Sequence, residues 1–254
     1  MRVSHLPRLP LALVGLFFLT SVIAPLPFAV LQPGGGRDVL GAVIEIHGEK
    51  TYPSTGKLLL TTVLATSPSS PIFGAEVLYA WMKGDSIVLP RSVLYPPQKS
   101  SAQINATNAA DMKNSQRVAA AAALAYLGYP VTGHGVTVSI KLKNTGGPSG
   151  GLVFALGIIE KLNSEDLLAG RTVAGTGTMD RAGHIGPIGG IDEKLIAARR
   201  AGATAFFAPS ENCDDVHHIP EGLTVYSVST LREAVSVLKD VTLAVPHCTW
   251  QRNR

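Results

Sequence analysis

The longest apolar stretch of the chain lies near its beginning, over Leu9–Leu31, and is interrupted by prolines and a few small polar residues. As a helix rising about 1.5 Å per residue, this stretch is long enough to cross a hydrocarbon core roughly 30 Å thick. Arg2, His5 and Arg8 precede it, and basic residues favour the cytoplasmic side of a membrane. The pattern predicts a single-pass anchor in the cell membrane, with the body of the chain outside the cytoplasm.

A cleaved signal peptide is the alternative interpretation of this stretch. Val22 and Ala24 would suit a signal peptidase, but Pro25 follows directly and disfavours cleavage. We therefore predict an uncleaved anchor. The glycine-rich segment Gln32–Gly36 is predicted to be a flexible spacer after it.

Short β patterns dominate the region up to residue 105. Val39–Ile46 is largely apolar, and Lys57–Leu64 is a β-suited run that ends in a Ser/Pro turn cluster. Phe73–Lys83 is predicted to be a short helix, and Pro96–Asn105 is predicted to be a polar linker. We therefore expect a tip, anchor and spacer over 1–37, followed by a small strand-rich region over 38–105.

Helices and strands alternate from residue 106 onwards. Asn108 is a suitable cap for a helix that ends at Gly128, and Thr230 with Glu233 forms a capping box for the last helix. Between them the pattern predicts strands at Gly135–Leu142, Thr172–Thr178, Thr204–Ala208 and Thr224–Ser227, and helices at Leu152–Leu162 and Asp192–Ala201. We assign the class α+β, with one domain over 106–246 and a tail over 247–254.

Composition excludes several classes of function. The hydrophobic fraction is 46% and the charged fraction 16%, as in a globular protein. The net charge of +4 comes without a run of Lys and Arg interleaved with aromatics, which argues against nucleic-acid binding. The segment Cys213–His218 has metal-ligating residue types but no second cluster follows it, so we interpret it as an exposed polar loop and predict no metal and no cofactor.

The cysteines are too few for a disulfide-rich scaffold or a paired zinc motif. They are Cys213 and Cys248. A single disulfide and two unpaired thiols both remain open at this point, because bridging depends on the Cα separation.

A possible nucleophile lies in Gly147-Pro148-Ser149-Gly150-Gly151, between a predicted strand and a predicted helix. A serine at such a junction has its hydroxyl near the positive end of the helix dipole. The surrounding glycines let a substrate backbone approach, and the backbone N–H groups of Gly147, Ser149 and Gly150 could bind an oxyanion. The alternative is a glycine-rich turn in which Ser149 only caps the helix.

A possible base is Lys194, in the first turn of the helix after Gly189-Gly190. A lysine acts as a base only if its pKa falls from about 10.4 towards neutrality. Burial among apolar neighbours would lower the pKa, whereas Asp192 and Glu193 oppose this unless they point to solvent. The alternative is a solvated surface lysine.

Three ordered motifs over Asn144–Pro209 resemble the proteolytic domain of the Lon protease family. In that family a G-P-S-[AG]-G motif, a T-G pair and a P-I-G-G-[IL]-x-x-K segment follow one another. Here they are Gly147–Gly151, Thr176-Gly177 and Pro187–Lys194. The resemblance implies that Ser149 is the nucleophile, that Lys194 is the base, and that Thr176 orients the lysine.

A weaker resemblance covers more of the chain. The apolar start, the strand-rich region and the helix ending at Gly128 are similar to the ATP-independent, membrane-anchored bacterial branch of the family. That branch usually inserts a PDZ module, whereas here Tyr129–Gly135 connects the helix directly to the peptidase core. Gly150 stands where many members have Ala, and Gly146 stands where cytosolic members have Asp.

No phosphate-binding loop is present, because Gly56-Lys57 is followed by Leu58 and lacks the preceding glycine. The resemblance thus implies a serine endopeptidase that cleaves unfolded or flexible protein segments without a nucleotide. It also makes a homo-oligomer possible, since ring assembly is common in the family.

Two other interpretations of the function remain open at this point. Gly147–Gly151 also satisfies the G-x-S-x-G pattern of α/β-hydrolases, whose acid and histidine would be Asp215 or Asp240 with His247. An anchored scaffold or regulator with the same fold but no activity is the non-enzymatic alternative.

Overall fold

The computed structural model describes residues 8–130, 133, 135–142, 145–240, 243 and 246–249. The predicted cytoplasmic tip before Arg8, Asn144 and the end of the predicted tail lie outside these ranges. The helices are α1 (Arg8–Ile23), α2 (Gly74–Lys83), α3 (Arg91–Leu94), α4 (Ser101–Tyr126), α5 (Gly151–Leu162), α6 (Ile191–Arg200) and α7 (Leu231–Lys239), with a 3-10 helix over Ser210–Asp215. The strands are β1 (Pro25–Leu26), β2 (Phe28–Asp38), β3 (Ile44–His47), β4 (Lys57–Ala65), β5 (Ile72–Phe73), β6 (Ile87–Pro90), β7 (Thr137–Ile140), β8 (Thr172–Gly175), β9 (Thr178–Met179), β10 (Ile185–Gly186), β11 (Ala205–Pro209) and β12 (Thr224–Val228).

The chain forms two compact units. The first consists of Met1–Gln32 with Leu64–Ser101, and the second of Pro33–Val63 with Ala102–Arg254. Of the region over 38–105, residues 38–63 and 102–105 belong to the second unit and residues 64–101 to the first. In the first unit β1 pairs with β5, and β6 pairs with Phe28–Leu31 at the start of β2, both antiparallel.

The main sheet of the second unit has the strand order β12-β11-β8-β4-β2. Within it, β4 is parallel to β8, β8 to β11 and β11 to β12. Parallel sheets are normally covered on both faces. One apolar cluster is built around α5 and α7, and a second one includes Ile191, Leu195 and Ala198 of α6. This arrangement explains why residues 151–160 of α5 are all buried.

The predicted transmembrane anchor is wrong. The helical part of the run, α1, has 16 residues, which is about 24 Å of helix. Pro25 and Pro27 interrupt the helical pattern, because proline has no N–H to donate and disfavours helix in the residue before it. The rest of the run, from Phe28, belongs to β2. Among the described residues no helix is long and apolar enough to cross a membrane, so the single-pass membrane location that rested on the anchor is also not supported.

The predicted spacer is a strand. Gln32–Gly36 lies inside β2, and the N–H of Gly35 donates to Thr62 Oγ1 at 3.2 Å. A Cβ at Gly34 would lie 2.5 Å from the carbonyl oxygen of Thr62 on β4. These glycines therefore allow a close approach of two strands and do not mark a flexible connection.

The helix predicted from Asn108 begins earlier than its sequence signal. α4 starts at Ser101, so the second half of the predicted linker Pro96–Asn105 is helical. The last helix starts as predicted. Thr230 Oγ1 accepts from the N–H of Glu233, and the Glu233 carboxylate accepts from the N–H of Thr230, both at 3.2 Å.

A disulfide joins Cys213 to Cys248, which resolves the question that the sequence left open. Cys213 lies in the 3-10 helix, and Cys248 follows α7. The N–H of Cys248 also donates to the carbonyl of Val225 on β12. The segment around Cys248 is thus attached to the second unit by both a covalent bond and a backbone hydrogen bond.

Replacing both Cys213 and Cys248 with Ser is expected to lower the free energy of unfolding by about 4 kcal/mol, because the bond closes a loop over a sequence separation of 35. Urea denaturation with and without dithiothreitol measures this. Reductant should destabilise the wild type to the level of the double variant and leave that variant unchanged. An unchanged midpoint for the reduced wild type would contradict the prediction.

Candidate active site

The loop that carries Ser149 is held by helix α4. The N–H of Gly147 donates to the carbonyl of Asn108 at 3.0 Å. The hydroxyl of Ser115, one of the buried polar residues, donates to the carbonyl of Pro148 at 2.9 Å. Two successive backbone positions before Ser149 are therefore fixed from the same helix.

The carbonyl oxygen of Ser149 accepts two hydrogen bonds from the segment after β8. Thr176 Oγ1 donates to it at 3.1 Å, and the N–H of Gly177 donates at 2.9 Å. The carbonyl of Gly177 in turn accepts from the N–H of Leu152 at 3.2 Å. Ser149 itself is partly buried. The start of α5 is consequently bonded at several points to the end of a central strand.

Lys194 lies in the first turn of α6, which begins after Gly190 in the left-handed region with φ of 69°. The lysine is only 3% exposed. Its Nζ donates to Thr176 Oγ1 at 3.1 Å. A directional chain thus runs from Lys194 Nζ to Thr176 Oγ1 and on to the carbonyl of Ser149. The structure brings these three sequence-predicted residues together.

Burial controls the protonation of this lysine. Desolvation lowers the pKa of Lys194 from 10.5 to about 8, with Glu193 acting in the opposite direction. Glu193 does not point to solvent, since it is 1% exposed, and burial raises the pKa of its carboxyl above the ordinary value. Burial thus disfavours the charged form of both side chains, Glu193 and Lys194.

The other acidic neighbour, Asp192, is used for a different contact. Its carboxylate accepts hydrogen bonds from the N–H of His217 at 3.0 Å and from the N–H of His218 at 3.4 Å. The ring Nδ1 of His217 lies 3.1 Å from its second oxygen. Asp192 therefore connects the first turn of α6 to the segment after the 3-10 helix.

Two positioning side chains were missed by the sequence interpretation. Asn212 holds the segment before α6, because its amide oxygen accepts from the N–H of Ile188 at 2.9 Å and its amide nitrogen donates to the carbonyl of Ile188 at 3.0 Å. Ser115 holds Pro148 in a similar way. Both act on distant backbone groups and belong to no motif, so no local sequence signal marks them.

The residues of the rival sites are placed elsewhere. Asp215 accepts from the Asn212 side chain at 2.9 Å, and the His247 ring lies 4.8 Å from that of Tyr226. In the described part of the chain, neither is hydrogen-bonded to Ser149. Cys213 is bonded to Cys248 and is not a thiolate available to a metal.

Local packing accounts for both departures from the family motif. A Cβ at Gly150 would lie 2.7 Å from Cε2 of Phe154, so the phenyl ring occupies the space that an alanine would need. A Cβ at Gly146 would lie 2.9 Å from Cβ of Asn108. Glycine at these positions allows α4 and α5 to pack closely against the Ser149 loop.

Replacing Lys194 with Met is expected to stabilise the fold below pH 8. Because the folded pKa is lower than the unfolded one, the folded state must hold an unfavourable buried charge below about pH 8, which costs roughly 3 kcal/mol. This cost falls as pH rises from 8 to 10.5. Urea denaturation from pH 6 to 10 should show a difference between variant and wild type that narrows over that interval. The exposed Lys57→Met is the control, and parallel curves for K194M and the wild type would refute the prediction.

Comparison with known proteins finds relatives for the region that contains Ser149, Thr176 and Lys194. The family model of the Lon protease (S16) C-terminal proteolytic domain matches residues 140–242. The mitochondrial Lon protease homolog of Homo sapiens is 30% identical over 218 residues, which are 76% of this chain and 22% of that protein. Lon protease of Citrifermentans bemidjiense is 40% identical over 91 residues, and Lon protease 1 of Bacillus subtilis is 38% identical over 93.

The chain spans only a small part of these relatives, namely 11% of the Citrifermentans protein and 12% of the Bacillus protein. The region that matches the family model contains all three ordered motifs, Gly147–Gly151, Thr176-Gly177 and Pro187–Lys194. This chain carries the serine-peptidase domain of the Lon family.

Proposed function

We propose that this protein is an endopeptidase that uses Ser149 as its nucleophile, Lys194 as its general base and Thr176 to orient the base. The observation that carries the proposal is the buried Lys194 Nζ, which is hydrogen-bonded to Thr176 Oγ1. The same hydroxyl donates to the carbonyl of Ser149. A lysine with a pKa of about 8 is neutral often enough near physiological pH to accept a proton.

In the proposed reaction, neutral Lys194 takes the proton of the Ser149 hydroxyl while Ser149 Oγ attacks a peptide carbonyl. One N–H of the lysine amine keeps its hydrogen bond to Thr176, and this contact orients the lone pair of the nitrogen. The protonated lysine then gives its proton to the leaving amine, and an acyl group remains on Ser149. Water, activated by the same lysine, releases the acyl group and restores the hydroxyl.

The developing oxyanion is assigned to backbone N–H groups at the start of α5. The first N–H groups of a helix have no acceptor within it and favour negative charge. The N–H of Gly147 already donates to Asn108, so we assign the role to Ser149 and Gly150. The glycines around Ser149 leave room for the substrate backbone.

The substrates we propose are flexible or unfolded protein segments, cleaved without ATP. The 254 residues contain no phosphate-binding loop, and the Gly56-Lys57 pair leads into strand β4. Without ATP-driven unfolding, cleavage is restricted to chains that are already extended. The Cys213–Cys248 disulfide is typical of proteins in oxidising compartments, which supports action outside the cytoplasm.

Hydrolysis of fluorescently labelled casein by the full chain tests this proposal. Ser149→Ala and Lys194→Ala should each lose at least about 1000-fold in kcat/KM, because the two side chains act as one unit. Circular dichroism should confirm that both variants fold, and adding ATP with Mg²⁺ should not change the wild-type rate. An inactive wild type would favour the scaffold alternative, whereas activity that survives K194A but not His247→Ala would favour the hydrolase alternative.

The pH dependence of kcat/KM gives an independent check. Since only neutral Lys194 accepts the proton, the rate should rise about tenfold per pH unit below the pKa of about 8 and level off above it. The profile is measured between pH 6 and 10 on a peptide without titratable side chains, so that only the titration of the enzyme's own groups contributes. A flat profile over that range would remove Lys194 from the role of base.

A further inference from the structure

A groove of about 680 Å³ lies between helix α4 and strand β7. Its lining contains none of Ser149, Thr176 and Lys194. Aliphatic side chains form most of its walls, including Ala120 and Leu124 of α4. The proposed catalytic chemistry makes no use of this groove.

Three cationic residues line the groove, and no Asp or Glu does. They are Lys113, Arg117 and Arg181, all exposed. Arg117 donates to the Asn114 side chain at 2.8 Å. Within the described part of the chain, none of the three cations forms an ion pair with a carboxylate. This excess positive charge is complementary to an anionic ligand.

The groove follows one edge of strand β7. β7 pairs with β3 along its other edge, and no further described strand pairs with it. Thr137 and Val138 both line the groove, although successive side chains of a strand point to opposite faces of the sheet. Lining by both residues fits a groove that runs along the edge of the strand. A sheet edge of this kind binds extended peptides through main-chain hydrogen bonds.

Both walls of the groove are connected to the Ser149 loop. β7 leads into that loop along the chain, and α4 bonds to it through Asn108 and Ser115. A peptide held along β7 therefore lies against the elements that position the nucleophile. The chemistry of the groove also disfavours single-stranded nucleic acid, which needs successive aromatic rings for stacking, because Tyr129 is the one aromatic residue among those that line it.

We propose that this groove binds an extended acidic segment of the substrate polypeptide, rich in Asp or Glu, next to the segment that is cleaved. The inference rests on the proposed peptidase function for its biological meaning. It adds a substrate class to that function, namely flexible chains with an acidic stretch beside the cleavage point.

Binding is tested first in the full chain carrying Ser149→Ala, which separates binding from cleavage. Fluorescence anisotropy compares three labelled peptides of equal length whose charged positions are all Glu, all Gln or all Lys. The Glu peptide should bind at least about tenfold more tightly than the Gln peptide, and its advantage should decrease as NaCl is added. Equal affinities, a preference for the Lys peptide, or tighter binding of an oligonucleotide of equal charge would overturn the proposal.

Matched variants locate the site. Arg117→Glu combined with Arg181→Glu should remove the preference for the Glu peptide, while Lys57→Glu, an exposed charge reversal outside the groove, should leave it unchanged. N-methylation of alternate amides in the Glu peptide should weaken binding about tenfold if the backbone pairs with β7. Unchanged affinity in the double variant would place the site elsewhere, and unchanged affinity of the methylated peptide would exclude pairing along the edge.

Cleavage then separates the two proposals. In the otherwise wild-type chain, an acidic extension should lower KM of a short neutral peptide substrate about tenfold with kcat unchanged. The Arg117 and Arg181 double variant should lose this gain and still cleave the unextended peptide normally. If neither peptide is cleaved but the binding preference holds, the peptidase proposal fails and the groove assignment stands. If the extended and the unextended peptide are cleaved with the same KM, the groove assignment fails and the peptidase proposal stands.

Discussion

A primary amine buried in an apolar environment is the constraint on which this site depends. Lys194 is 3% exposed and has Thr176 Oγ1 as its hydrogen-bond acceptor. Burial of such a group is unfavourable while it is charged, which is why its pKa falls to about 8. The cost is offset by the apolar residues of α6, such as Ile191 and Leu195, which pack in the core beside the sheet. Reactivity and instability thus have the same physical origin.

The end of the central strand β8 organises the groups around this amine. Thr176 follows β8, and its N–H donates to Phe207 on β11. Its hydroxyl accepts from Lys194 and donates to the carbonyl of Ser149. One residue at the carboxyl end of a parallel sheet therefore aligns two helices, α5 and α6. Functional sites of α/β sheets commonly lie at this end, because loops and helix N-termini converge there.

The apolar run near the start of the chain illustrates the limit of hydropathy. Leu9–Leu31 has the composition and length of a transmembrane helix, yet it divides into α1, the short strand β1 and the start of β2. Hydropathy reports the preference for leaving water and does not report which conformation the backbone adopts. The two prolines and the partner strand β6 decide the conformation here. In the same way, the glycines of β2 allow contact with Thr62, although their composition is that of a spacer.

The sequence by itself determined the elements whose signals are local. The helix predicted over Leu152–Leu162 is α5 to within a residue, and the capping box of Thr230 and Glu233 starts α7 as predicted. The ordered motifs identified the family because residues with a chemical role in a family recur at similar spacing. The tertiary structure decided the rest: the burial of Glu193 beside Lys194, the support from Ser115 and Asn212, the Cys213–Cys248 bond and the cationic groove along β7. Each of these depends on residues that are distant in sequence and close in space. A local sequence pattern does not report that proximity.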